Sequence, residues 1–196
     1  MPGAKEHQRL MTEAIERDGD GQRVLLAGDG PSAAKAFAAA AELYRRSWEA
    51  APPTGYGRLV GLLKAAILAG GGEREAAYVR GALPTGADGS ATAAYALAIA
   101  ALVLADDDSV GPLCATMRAG SDAFDRTAAA LAALADRDGE AYRAALIAII
   151  ADFAARERHL TGVAIADTAV MLERLAAPRG LATGIESPLL PAPPTR

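Results

Sequence analysis

Material for nucleophilic catalysis is sparse in this chain: among 196 residues there are two histidines, His7 and His159, and one cysteine, Cys114. Cys114 sits in "GPLCATM" with no histidine nearby, so it reads as a small buried hydrophobe. A lone cysteine forms no internal disulfide and suits a reducing compartment. His159 lies in "ARERHLTGVAIADTAVMLERL", which also holds the most suggestive charge in the sequence, Asp167. With Val163, Val170 and Met171 at helical spacing around it, that carboxylate must be paired, hydrogen-bonded or protonated. Two readings stay open. One is a cap or an interhelical bond to another helix end. The other is a polar pocket formed by Asp167 with His159, Arg156 and Arg126, able to take a small molecule. A continuous helix over 160–176 would put about 12 Å of rise between His159 and Asp167, which argues against a catalytic dyad.

Other chemistries lack their signatures. "RDGDG" and "DRDGE" hint at calcium loops, but counting from Asp18 puts Arg23 at position 6. Counting from Asp136 puts Ala141 at position 6 and Ile147 at position 12, where glycine and glutamate are needed. No paired His or Cys motif offers a zinc site, and Lys35 follows Ala34, not a phosphate-loop glycine. No cofactor and no metal are expected, and non-catalytic function is favoured over enzymatic.

"VLLAGDGPSAAKAF" carries Gly28-x-Gly30-x-x-Ala33, the outline of a dinucleotide-binding turn. The stretch that should hold a second strand and its acidic residue instead reads "YRRSWEAAPPTGYG", a helix end followed by a loop. The same punctuation also recurs, as "LLAGDG", "ILAGGG", "VLADDD" and "ALADRD". Each closes an apolar helical pattern with Leu-Ala and precedes another. Leu26, Leu68, Leu104 and Leu134 lie about 30 to 42 residues apart, the spacing of stacked helical hairpins. Glycine supplies the left-handed residue that ends a helix, and Asp or Ser caps the next. The turn is read as a hinge.

The elements follow. Helices are expected over 4–17, 31–50, 56–69, 73–82, 90–105, 109–119, 122–135, 139–157 and 160–176, with a short segment at 22–27. Alanine makes up about a quarter of the chain, and aromatics only 5%. Small faces let helices approach closely. The expected fold is all-α, an array of antiparallel helical hairpins of about eight to nine helices. It forms a single domain over 1–178 with a Pro-rich extended tail over 179–196. Phe37, Ala41, Tyr44 and Trp48 make a stripe down one helix, and its first reading is core packing. Trp48 with Arg45, Arg46 and Tyr56 is the alternative, a surface for a protein partner, because Trp and Arg dominate binding hot spots.

A net charge of −4 with scattered basic residues argues against nucleic acid. The longest apolar run, "ATAAYALAIAALVLA", is too short for a bilayer and is expected to be a central buried helix, with homodimerisation through it as a further possibility. The charged N-terminus holds no signal segment, so a cytoplasmic location is expected.

"AAALAALADRDGEAYRAALIAII" resembles the helical hairpins of tetratricopeptide-like proteins, with the likeness carried by Gly139 to Tyr142 and Ala144 to Leu146. "DGEAYRAALIAIIADF" and "GVAIADTAVMLERLAAPRGLATGIESPLLP" resemble the closing part of the immunity 49 family of bacterial polymorphic toxin systems, down to the tail Ser187, Pro188, Leu189, Leu190 and Pro191. The first likeness implies a binding scaffold. The second implies an all-helical protein that neutralises a toxin by binding it.

Overall fold

The computed structural model describes residues 2–83 and 89–192. Most of the connection expected over 83–90, and the last four residues of the tail, lie outside them. The fold is all-α: α1 (Pro2–Leu26), α2 (Gly30–Glu49), α3 (Gly57–Leu68), α4 (Glu73–Ala82), α5 (Ala91–Val103), α6 (Val110–Arg118), α7 (Asp122–Ala135), α8 (Gly139–Ala154) and α9 (Asp167–Ala176). Short 3-10 turns precede α6 and follow α9. From α1 to α9 each helix packs on the next, as an array requires, and α9 then folds back to touch α3, α7 and α8.

The four Leu-Ala hinges are one backbone device used four times. In each, the amide three residues past the helix end reaches back five residues: Asp29 to Val24, Gly71 to Ala66, Asp106 to Ala101 and Asp138 to Ala133, at 2.9–3.2 Å. A residue of positive φ makes this possible, since it turns the chain back over the last carbonyls. Gly28 and Gly70 fill that role in the first two hinges. Ala105 and Arg137 do so in the others, at φ 57° each, a conformation unusual for residues other than glycine. Asp29 and Asp138 then cap the following helices by accepting from Ser32 and Ala141. Leu25 is helical and Asp29 is a cap, so the Gly28-x-Gly30 motif is a hinge and not a nucleotide-binding turn.

Two expected boundaries fail. The break placed after residue 17 does not exist, and α1 runs unbroken through "RDGDG". Its glycines serve close approach, not a turn. A Cβ on Gly21 would stand 2.8 Å from the Phe37 ring, and one on Gly19 would stand 3.2 Å from the Thr161 carbonyl oxygen. The helix expected over 160–176 is also wrong in its first half. Residues 160–166 are irregular, with Gly162 at φ 73°, and α9 starts at Asp167. The irregular stretch drops Val163 and Ile165 among Leu25, Phe37 and Leu68, a small second core beside the main one.

The main core centres on α5, whose Ala93, Ala94, Ala96, Ala98, Ile99 and Ala100 are completely buried. Contacts with α3, α4, α6 and α7 bury most of its surface. Phe37 and Tyr44 are core residues, as the stripe on α2 implied, and Cys114 is buried. Burial holds the Cys114 thiol up at about 11, which keeps it unreactive. No helix among the described residues is long and apolar enough to cross a membrane.

The tail lies against the body. The Glu173 carboxylate accepts the Tyr142 hydroxyl at 2.8 Å and the Thr183 amide at 3.0 Å. The Leu189 carbonyl accepts the Ala166 amide at 2.9 Å, and Ile185, Leu189 and Leu190 pack half-buried on the core.

Gly21→Ala should destabilise the protein by about 1–3 kcal/mol in urea melts, because a buried ring cannot step aside and the clash outweighs the gain in helix propensity. Gly81→Ala, in α4 with open space around it, should be neutral or stabilise by up to about 1 kcal/mol. Equal responses at the two sites would refute the close-approach reading of Gly21.

Candidate functional site: a polar cleft closed by α9

Where α9 folds back, a cleft of about 230 Å³ remains between α1, α3, α5, α7, α8 and the 159–168 segment. All four residues assigned to the polar pocket, Arg126, Arg156, His159 and Asp167, line it. The helical-rise argument that separated His159 from Asp167 does not apply, because the chain between them is irregular. Sequence reasoning missed the deeper lining residues: Asp18 and Gln22 from α1, Lys64 from α3 and Tyr95 from α5. Lys64 carried a readable signal, as the one charge inside "LVGLLKAAIL". Tyr95 carried another, as the one polar-tipped ring in the apolar run of α5.

The floor is built on a buried ion pair. The Lys64 ammonium donates to the Asp167 carboxylate and, at 3.1 Å, to the Thr168 hydroxyl. The two side chains are 15% and 21% exposed. Asp167 also accepts the Thr168 amide at 2.8 Å, so it holds the first turn of its own helix as well as another helix. Its interhelical partner lies in the middle of α3, not at a helix end, and the carboxylate also lines the cleft. Burial alone would push the Lys64 ammonium down, but Asp167 outweighs that, with Tyr95 and Asp18 behind it, and holds the ammonium above the ordinary lysine value.

Asp18, 7% exposed, accepts from Tyr44 and from Gln22, each at 3.2 Å. Gln22 in turn accepts the Thr161 hydroxyl at 2.5 Å, which fixes the irregular wall to α1. Burial first, and then the nearby Asp167 charge, push the Asp18 carboxyl up to about 6. Beside this network stands Tyr95, 8% exposed, whose buried hydroxyl has the Thr168 hydroxyl near it but makes no well-formed hydrogen bond among the described residues.

The rim is different. Arg126 and Arg156 both donate to Asp152, and Arg156 lies over the Phe153 ring at 3.8 Å from its centroid. His159 stacks beside the same ring at 6.2 Å, its buried Nδ1 without a partner among the described residues. Leu160, 76% exposed, marks the outer lip.

The other candidate surface is partly spent on the fold. Arg45 is tied to Glu42 and Glu49 along α2. Trp48 and Tyr56 are half-buried against the core and lie 6.0 Å apart, ring to ring. Arg46 is exposed.

Comparison with known proteins finds no family model, no curated protein and no solved structure that matches the chain.

Two outcomes test the floor. Lys64→Met should cost about 3 kcal/mol of stability, since it strands Asp167 beside Asp18, and adding Asp167→Asn should recover part of the loss. Asp18 titrates near 6 in the fold against 3.8 for the free side chain. Its contribution is therefore fully present below about pH 4 and lost as pH rises through 6. Asp18→Asn should accordingly raise the melting temperature at pH 8, by the equivalent of about 1–3 kcal/mol, and give no gain near pH 4. A gain that does not change with pH would contradict the burial of an ionisable Asp18.

Proposed function

We propose that this protein binds a small polar molecule in the cleft closed by α9. The observation that carries the reading is the Tyr95 hydroxyl, buried in the lining with the Thr168 hydroxyl near it but with no well-formed hydrogen bond among the described residues. An unsatisfied buried hydroxyl costs roughly 1–3 kcal/mol, a cost that a ligand atom placed there would remove. Around it, three cationic and three carboxylate side chains converge on one concavity with aromatic walls, a combination that fixes the orientation of a polar ligand. The volume limits that ligand to a small metabolite, since it falls below the usual range for drug-sized molecules.

Binding is favoured over turnover by how the lining is bonded. Thr127 donates to the Ala123 carbonyl, Thr161 to Gln22, and Thr168 accepts from Lys64. None of these hydroxyls is bonded to a base that could activate it.

The test is a thermal-shift screen with the small-molecule fraction of the native cell extract. Ala123 is exposed at the mouth, so Ala123→Trp should fill the cleft without touching the core. An upward shift in the wild type that is lost in Ala123→Trp is the expected result. Equal shifts in both proteins, or none in either, would overturn the reading.

A protein partner on the α2 edge is the second reading, favoured by the half-exposed Trp48–Tyr56 pair beside Arg46. It agrees with the toxin-neutralising role that the immunity 49 resemblance implies. Co-expression with a toxin domain encoded beside this chain would separate the two, since rescue of growth abolished by Trp48→Ala but unaffected by Ala123→Trp belongs to the edge alone.

A further inference from the structure

The charges of the cleft are not evenly mixed. At the floor, two carboxylates, Asp18 and Asp167, face one ammonium, Lys64. At the rim, two guanidiniums, Arg126 and Arg156, share one carboxylate, Asp152. The floor side chains are the more enclosed: Lys64 and Asp167 are 15% and 21% exposed, against 31% and 38% for Arg126 and Arg156. Each end thus carries one charge in excess, negative inside and positive outside, and apolar wall lies between them, from Phe124, Ile149, Phe153 and Val163. In a concavity with low-dielectric walls such an arrangement selects against a ligand of single sign, because one end would always face a like charge.

Resting on the cleft reading above, we propose that the ligand is a small zwitterion of the ω-amino carboxylate kind, with its ammonium at the floor, its carboxylate at the rim and a short alkyl stem between. The ammonium has three hydrogens to place. Asp18 and the Tyr95 hydroxyl oxygen, which makes no well-formed hydrogen bond among the described residues, both line that end as acceptors. The carboxylate takes the outer guanidinium edges of Arg126 and Arg156, in geometry that suits planar, paired donors.

A second consequence follows from what surrounds Asp18. Gln22 on its own helix, Tyr44 on α2, Lys64 on α3 and Asp167 on α9 are the polar and charged groups about it; burial and then Asp167 push its carboxyl up to about 6 against the opposing pull of Lys64, Tyr44 and Gln22. An arriving ammonium favours its ionised form, so binding expels a proton and affinity rises with pH through 6. The ligand itself does not titrate between pH 5 and 7.5.

The experiment is calorimetric titration of the full chain with γ-aminobutyrate, δ-aminovalerate and ε-aminocaproate, beside the matching alkanoates and alkylamines. At least one zwitterion should bind, and both of its half-molecules should bind at least tenfold more weakly. Its affinity should fall at least threefold from pH 7.5 to pH 5. Asp18→Asn, which leaves the fold intact by the stability argument above, should weaken binding at pH 7.5 at least tenfold and remove the pH dependence. An alkanoate or alkylamine that binds as well as its zwitterion overturns the inference. So does failure of all three zwitterions while the cell extract still shifts the wild type and not Ala123→Trp. In both cases the cleft reading survives. Failure of zwitterions and extract together removes both.

Discussion

One buried ion pair sets the position of everything near the cleft. Lys64 and Asp167 lie 103 residues apart in sequence, and their contact fixes the start of α9 against the middle of α3. Alanine faces pack without strong directional preference, and a helix carrying them can slide by a turn at little cost. An ammonium taken out of water cannot, because it must meet its carboxylate at bonding distance or lose several kcal/mol. The charge therefore supplies the register that the alanines do not. It also explains why a lysine stands inside the otherwise uncharged run from Leu59 to Leu68.

The parts of the fold that could be read from sequence are those whose cause is local. The hinges were legible because a helix end needs a left-handed residue and a cap within a few positions, and the sequence shows both. Even so, Ala105 and Arg137 take the left-handed role without being glycine. The stripe on α2 was legible because its period is written into consecutive turns. The failures have distant causes. A glycine that admits a ring and a glycine that makes a turn look identical in sequence. What decides between them at Gly21 is Phe37 on the next helix, and at Gly19 it is Thr161, far along the chain. Residues 160–166 have a pattern compatible with a helix. Gly162, the amide of Ala166 bonded to the tail, and the pull of Val163 and Ile165 into the second core decide otherwise.

The candidate site divides along the same line. Arg126, Arg156, His159 and Asp167 could be assembled from sequence because an unpaired carboxylate on an apolar face demands company. Asp18 and Gln22 could not. They sit in a stretch that mimics a metal-binding turn, and their burial depends on a wall contributed by Thr161 from the far end of the chain. The surface around Trp48 shows the converse. Its residue types suit a hot spot, yet the structure spends Arg45 on its own helix and much of Trp48 on the core.

The cleft exists because the array is closed by its own C-terminal part. Helices stacked in sequence leave an inner face uncovered, and here α9 enters it, touching α3, α7 and α8. The helix does not fill the space to the bottom, since the chain leading into it is held away by Thr161 on Gln22 and by Ala166 on the tail. Glu173 in turn holds that tail by accepting from Thr183 and Gly184 while it accepts from Tyr142 on α8. One wall of the cleft and the tail are thus joined by a shared backbone bond. The polar floor persists under these constraints because each charge on it has a partner, and among the described residues of the lining the Tyr95 hydroxyl and the His159 Nδ1 are left without a well-formed hydrogen bond.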